Sequence, residues 1–391
     1  METPVILSSA RTPIGSFMGA LAELQAPQLG AIAIKAAIER SNIKPEDVNE
    51  VLMGCVLTGG MGQAPARQAS IGAGVPDSVP CTTINKVCGS GMKTVTLASQ
   101  SIITGDNKLV VAGGMESMSN APYVLAKARS GYKMGNGTLV DSMINDGLWD
   151  PYNNFHMGNC GEICARDVHI TREEQDEFAI RSFKLANESV DNGYFSDEII
   201  PVDVAKGKET VTIKDDEGPR KVKYDKIPTL KPVFDKSGTI TAANASSIND
   251  GAAAMVLTSE SYANENNLKA SARILAYSSY AQEPRLFATA PISSIEIVLK
   301  RAGMSIGDID LFEINEAFAV VPIAAQKQLG IPTEKLNVLG GAIALGHPIG
   351  ASGTRIIMSL LTALKKYNKK IGLASICIGG GEATSIIIER L

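Results

Sequence analysis

The chain has 391 residues, with 37 Lys or Arg against 41 Asp or Glu and a net charge of −4, a balance that offers no general attraction to nucleic acid or to an anionic membrane. The length exceeds what one ordinary core organises and predicts two or three domains. Met1 leads directly into Pro4-Val5-Ile6-Leu7-Ser8-Ser9 without a basic flank, no run of about 18 apolar residues follows, and the Ile387–Leu391 end carries no targeting tripeptide, so a cytoplasmic location is expected. In chain order, the pattern predicts a strand at Pro4–Ser9, a helix near Leu29–Arg40, a strand near Val51–Gly54 and another at Leu109–Ala112. An irregular stretch then extends to about Asn249; in it, Thr171-Arg172-Glu173-Glu174 reads as a capping box opening a helix that runs to about Asn192. Beyond it come an apolar run at Ala252–Leu257, a helix at Ile295–Ala302, a strand at Leu311–Ile314, a helix near Phe318–Leu329, a long helix near Thr354–Lys366 and a strand at Gly372–Ile378.

This alternation is α/β, and it repeats. Glu46–Leu52 resembles Gly307–Glu313 at an offset of 261, Ser90-Gly91 matches Ser352-Gly353 at 262, and Gly113-Gly114-Met115-Glu116 resembles Gly379-Gly380-Gly381-Glu382. Two related layered α/β halves are therefore expected. Residues 1–118 with 250–271 form the first, 119–249 an inserted loop domain, and 272–391 the second.

Six cysteines (55, 81, 88, 160, 164 and 377) are scattered through a large chain with no CxxC pair, which argues against a disulfide scaffold. Two of them sit among glycines, in Asn85-Lys86-Val87-Cys88-Gly89-Ser90-Gly91 and in Cys377-Ile378-Gly379-Gly380-Gly381. Cys88 precedes a helical stretch, where the helix dipole and free N–H groups would stabilise a thiolate, so it is a candidate nucleophile. His347 lies in Gly346-His347-Pro348-Ile349-Gly350, held in a turn rather than on a core face, and is the best of three histidines to act as its base. Cys377 closes a strand before three glycines whose N–H groups suit a developing oxyanion, and Asn315-Glu316-Ala317-Phe318 completes the set. The glycine runs lack the order of a nucleotide-binding loop. His156, Cys160, Cys164 and His169 have a spacing that admits a zinc module, but structural zinc sites more often pair their cysteines in turns, and no metal is assigned.

Taken together, these four segments make the chain resemble the thiolase family, in its short-chain acetyl-CoA acetyltransferase branch, over essentially its whole length. The resemblance implies the thiolase fold, two halves with pseudo-twofold symmetry plus a loop domain that receives coenzyme A. It also implies a homo-oligomer, a tetramer in preference to a dimer. It makes Cys88 the acetyl acceptor, His347 its activator and Cys377 the acid and base of a reversible Claisen condensation of two acetyl-CoA to acetoacetyl-CoA. His347 and a water held by Asn315 would serve the enolate, and the N–H groups of Cys88 and Gly379 the tetrahedral intermediate. For coenzyme A and the acyl pocket it points to Leu148, His156, Met157, Arg220, Lys231, Phe234, Ser246, Ala317 and Phe318. Substrates are the thioesters themselves, with no cofactor. From Lys206 to Lys231 eight basic residues face five acidic ones, which suits nucleotide phosphates. Departures at Phe287-Ala288-Thr289-Ala290-Pro291 and Ala64 leave open the subgroup, the acyl-length limit and any monovalent-cation dependence. The neighbouring alternative is a degradative 3-ketoacyl-CoA thiolase for longer chains. β-Ketoacyl synthases share the fold, but Cys377 stands where they need a second histidine or an asparagine.

Overall fold

The structure is a computed structural model and describes residues 2–391. Its sheet runs in the spatial order Leu311–Ile314, Ile371–Ile378, Glu382–Arg390, Ala272–Ala281, Pro4–Arg11, Asn249–Ser259, Leu109–Ser117, Glu50–Gly54 and Cys81–Ile84, with the short Gly15–Ser16 strand pairing to Asn249–Ser259. Leu311–Ile314 is parallel to Ile371–Ile378, which is antiparallel to Glu382–Arg390, itself antiparallel to Ala272–Ala281. The other half repeats this: Glu50–Gly54 is parallel to Leu109–Ser117, then Asn249–Ser259 and Pro4–Arg11 follow antiparallel. The halves join where Val5 pairs antiparallel with Arg273 and Ile6 with Ala272, at the centre of the repeat.

Glu50 and Leu311 open equivalent strands 261 residues apart, and Leu109 and Ile371 do so 262 apart, the spacing expected from sequence. The third likeness is not structural. Gly113–Glu116 lies within a strand, whereas Gly379–Gly381 forms the turn after one. The Leu109–Ser117 strand continues past Ala112 because glycines there admit close backbone: a Cβ on Gly114 would stand 2.0 Å from the carbonyl oxygen of Gly350.

Successive strand residues face opposite sides and feed three cores. Ile6, Met255, Ile376 and Ile386 pack with the helices Ser90–Thr104 and Ile349–Lys366, which lie in the middle of the molecule. Val5, Val111 and Val256 pack with the outer helix Ala26–Ser41, while Leu373, Cys377 and Ile387 pack with Ala290–Ala302 and Val320–Leu329. The two central helices cross at equivalent glycines. A Cβ on Gly353 would lie 2.3 Å from the Met92 nitrogen, and one on Gly91 2.8 Å from the Thr354 nitrogen.

Between Ser117 and Asn249 the chain forms short ribbons and two helices, Met157–Asp167 and Arg172–Asp191. The Thr171 capping box is present, with the Glu174 N–H donating to the Thr171 hydroxyl at 3.2 Å and the Thr171 N–H to the Glu174 carboxylate at 2.7 Å. Buried Arg11, on the first strand, ties this region down through Glu198 at 2.7 Å and Asp216 at 2.7 and 2.9 Å. Among the described residues no helix is long and apolar enough to cross a membrane.

Candidate active site

A cavity of 310 Å³ opens above the N-terminal ends of the two central helices, and Cys88, His347 and Gly379 share its wall with Ala317 and Phe318. The duplicated frame thus delivers one segment from the first half and three from the second to one place.

Cys88 sits at a strained corner. Val87, a β-branched residue, has φ of 45°, in the left-handed region that costs such residues on the order of 1–3 kcal/mol. The corner is stitched by the Ser90 hydroxyl, which donates to the Val87 carbonyl at 2.6 Å and accepts from the Lys86 N–H at 2.9 Å, while the Val87 N–H donates to Asn85 Oδ1 at 3.0 Å. Lys86 pairs with Glu382, binding this corner to the Gly379 turn. The N–H groups of Cys88 and Gly379 both reach the Cys88 sulfur.

The expectation of a thiolate stabilised by a helix end is corrected. Burial pushes the Cys88 thiol up to about 11, outweighing those two N–H groups, and the buried Glu116 carboxylate adds to the rise. Helix Ser90–Thr104 begins two residues later, with Gly89 as its N-cap, so its dipole acts from a distance. Burial, with the charge of Arg355 adding to it, lowers His347 to about 3, so its imidazole is neutral at ordinary pH. The resting pair is thiol and imidazole. Alkylation of Cys88 by iodoacetamide is expected to be slow near pH 7 and to rise about tenfold per pH unit towards about pH 10. A rate that stays flat across this range, read from the Cys88 peptide by mass spectrometry, would mean an ion pair instead.

His347 is 5% exposed. Its N–H donates to Asn249 Oδ1 at 3.0 Å, and its Nδ1 lies 2.6 Å from the Ser352 hydroxyl, which orients the ring and leaves Nε2 without a protein partner. Glu116 holds the loop from behind, accepting N–H bonds from Val56 and Leu57 at 3.1 Å and from Gly350 at 2.9 Å. Burial raises that carboxyl to about 7.

Cys377 is fully buried at the end of its strand and does not line the cavity. Burial raises its thiol well above the ordinary range, and the nearby Cys88 thiol pushes it in the same direction. Asn315 is also buried; its carbonyl oxygen accepts from Arg355 Nη2 at 3.1 Å, and its Nδ2 has no partner in the protein. Asn337 clamps this segment, accepting from the Ile314 N–H and donating to the Ile314 carbonyl and to Glu316, each at 2.8 Å.

Leu148, His156, Met157, Phe234, Ser246, Ala317 and Phe318 all line the cavity. His156 stacks on Phe234 with ring centroids 4.6 Å apart, and its Nδ1 caps the Met157–Asp167 helix by accepting from the Gly158 N–H at 3.1 Å. Phe318 meets Phe234 and Phe287 edge to face at 6.0 and 6.2 Å. Phe287 is therefore a fourth wall of the pocket, noted in the sequence only as a departure.

Arg220 and Lys231 lie outside this cavity. Arg220 is on the surface, paired with Asp191, and Lys231 is exposed. A second hollow of 310 Å³ shares Ala245 and Ser247 with the first and is lined by Lys221, Lys223 and Lys226. Of the acidic residues in that stretch, Asp216 is buried and taken by Arg11, while Glu217 accepts N–H bonds from Ser16 and Ala20 at 2.8 Å and pairs with Lys221 at 3.3 Å. Cys160 and Cys164 face the core, and among the described residues no three His, Cys, Asp or Glu side chains gather as a metal requires.

Residues 4–261 match the family model "Thiolase, N-terminal domain" and residues 268–390 match "Thiolase, C-terminal domain". The chain is 52% identical to an acetyl-CoA acetyltransferase of Yarrowia lipolytica, covering 100% of this chain and 97% of the relative. It is 51% identical to that of Cupriavidus necator over the full length of both, and 51% to the mitochondrial acetyl-CoA acetyltransferase of Rattus norvegicus, over 99% of this chain and 91% of the relative. The crystal structure of the Bacillus anthracis acetyl-CoA acetyltransferase superposes with a TM-score of 0.98 at 40% identity, covering 100% of this chain and 99% of the other.

Proposed function

The chain belongs to the thiolase family, and we infer that it is an acetyl-CoA C-acetyltransferase, joining two acetyl-CoA into acetoacetyl-CoA and CoA and running the reverse thiolysis. The observation that carries this reading is the convergence of Cys88, His347 and Gly379 on one cavity, with two backbone N–H groups at the Cys88 sulfur.

In the sequence of steps we propose, His347 Nε2 takes the Cys88 proton as the sulfur attacks the thioester carbon of acetyl-CoA. The N–H groups of Cys88 and Gly379 hold the oxyanion, and CoA leaves with a proton from Cys377. Cys377 is then a thiolate in a dry setting, and the burial that raises its pKa makes it a strong base. It removes a methyl proton from the second acetyl-CoA. The enolate oxygen is met by the Nε2–H that His347 now carries and by a water on Asn315, and the enolate carbon attacks acetyl-Cys88. Departing Cys88 recovers its proton from His347, so every proton is accounted for.

For the nucleotide end of coenzyme A we propose Lys221, Lys223 and Lys226, with Lys231 farther along the stretch and Arg220, whose solvent-screened pairing with Asp191 yields at little cost. Leu148, His156 and Ser246 would take the pantetheine arm, with no resident cofactor. The proposal extends to a tetramer, supported by exposed Tyr123, Val124, Leu125, Tyr132, Met134 and Leu139 on a projecting segment, and to a cytoplasmic location, supported by six free thiols. Sedimentation and cell fractionation test these.

The direct test is loss of the acetoacetyl-CoA enolate absorbance when CoA is added. Turnover of long 3-ketoacyl-CoA with none of acetoacetyl-CoA would overturn the short-chain reading. The aromatic wall also sets a selectivity: Phe287→Ala is expected to raise kcat/KM for a ketoacyl-CoA two carbons longer, relative to acetoacetyl-CoA, by about tenfold or more. An unchanged ratio would remove Phe287 from the acyl pocket.

A further inference from the structure

The Asn315 side chain can face either way, and only one way helps a developing negative charge. Its amide has a donor end and an acceptor end of the same shape, so an oriented amide needs a partner that accepts only one of them. Arg355 is such a partner. It lies in the central Ile349–Lys366 helix, 2% exposed, and a guanidinium has donors alone. Its Nη2 donates to Asn315 Oδ1 at 3.1 Å and its Nη1 to Glu313 Oε1 at 3.3 Å. The Asn315 backbone is fixed as well, its N–H donating to the Ser375 carbonyl at 2.9 Å. What remains is Nδ2, buried and unpaired. An orphaned buried donor is costly, and the cost is offset once an acceptor arrives.

Resting on the reading above, we propose that Arg355 is a positioning residue for the second half of the reaction: by holding the Asn315 carbonyl, it makes the amide present its N–H end to the oxygen-bearing group that serves the enolate. The first half of the reaction uses the N–H groups of Cys88 and Gly379 and does not call on this amide. The Arg355 charge also reaches His347, but that bears on both half-reactions alike; the amide bears on one, so the ratio of thiolysis to exchange isolates the positioning role, which a purely structural ion pair with Glu313 would not change.

The two halves are read apart by acetyl exchange between acetyl-CoA and isotopically labelled CoA, which passes through acetyl-Cys88 but forms no enolate, and by thiolysis of acetoacetyl-CoA. Arg355→Met is expected to lower kcat for thiolysis by about 100-fold, the size of a lost oxyanion donor, with exchange within about threefold of the unaltered enzyme. Asn315→Asp, which keeps the Arg355 contact and loses the N–H end, is expected to match it. Glu313→Gln removes the ion pair, keeps an acceptor for Nη1, and is expected to leave both rates within about threefold. Should Arg355→Met fail to fold, Arg355→Lys replaces it; the ammonium keeps the charge without the planar fork, and a selective loss of about tenfold in thiolysis is expected. Equal loss of exchange and thiolysis in the Arg355 variants, or a Glu313→Gln loss as large as theirs, would overturn the proposal and leave Arg355 a structural charge. If the unaltered protein shows neither reaction, the functional reading itself fails.

Discussion

Cys88→Ala is expected to abolish both acetyl exchange and thiolysis, a fall of about 10⁴-fold or more, and to leave no acetyl-labelled peptide after incubation with acetyl-CoA. The expectation follows from the division of labour at the corner. Val87 is held at a positive φ, with its N–H on Asn85 and its carbonyl on Ser90. That geometry carries the sulfur to where two N–H groups meet it. Alanine keeps the corner and both N–H groups but removes the atom that forms the covalent bond. An enzyme lacking Cys88 that still exchanged acetyl groups would require a direct transfer between two thioesters and would sink the acyl-enzyme pathway.

The second large effect falls more heavily on one half of the reaction than on the other. Cys377→Ala is expected to lower condensation and thiolysis by about 10³-fold or more, while acetyl-Cys88 still forms, more slowly, and accumulates to be seen in the intact mass of the protein. The buried thiol lies near Cys88, so truncating it removes a proton carrier while the residues that line the acyl pocket stay in place. Quantitative loss of acetyl-Cys88 formation in this variant would instead make the Cys377 proton indispensable to the first transfer, with no other donor able to release CoA. Unimpaired thiolysis would assign the methyl proton to another base.

Much of the site was legible because chemistry and backbone freedom coincide in the sequence. Cysteines and a histidine set among glycines mark places where the chain turns sharply beside a reacting group, and those segments are the ones that meet. The repeat was legible in the strand-opening pattern at Glu46–Leu52 and Gly307–Glu313, since buried strands keep their apolar run. The likeness of Gly113–Glu116 to Gly379–Glu382 misleads, because glycines inside a strand resemble those of a turn until the neighbour that requires them, Gly350, is placed. Features set by tertiary packing left no local mark. The strain at Val87, the donor-only grip of Arg355 on Asn315 and the clamp of Asn337 on Ile314 each join residues whose meeting no spacing reveals. The balance at Cys88 was misjudged for the same reason: a helix beginning nearby is visible in sequence, whereas desolvation is not. The lysines of the second hollow could be found as charge but not as lining, and Arg220 and Lys231 share their stretch while pointing elsewhere.

The glycine crossing of the two central helices acts as a gauge. Cys88 stands just ahead of one helix and His347 just ahead of the other, so the separation of nucleophile and base is inherited from how closely two rods touch at Gly91 and Gly353. Neither glycine belongs to the reacting set, yet a single methyl at either would act as a shim, wedging the halves apart at the site where reaction rates respond to about an ångström of misplacement. The tolerance of the chemistry is in that sense written into the thinnest point of the molecule's core.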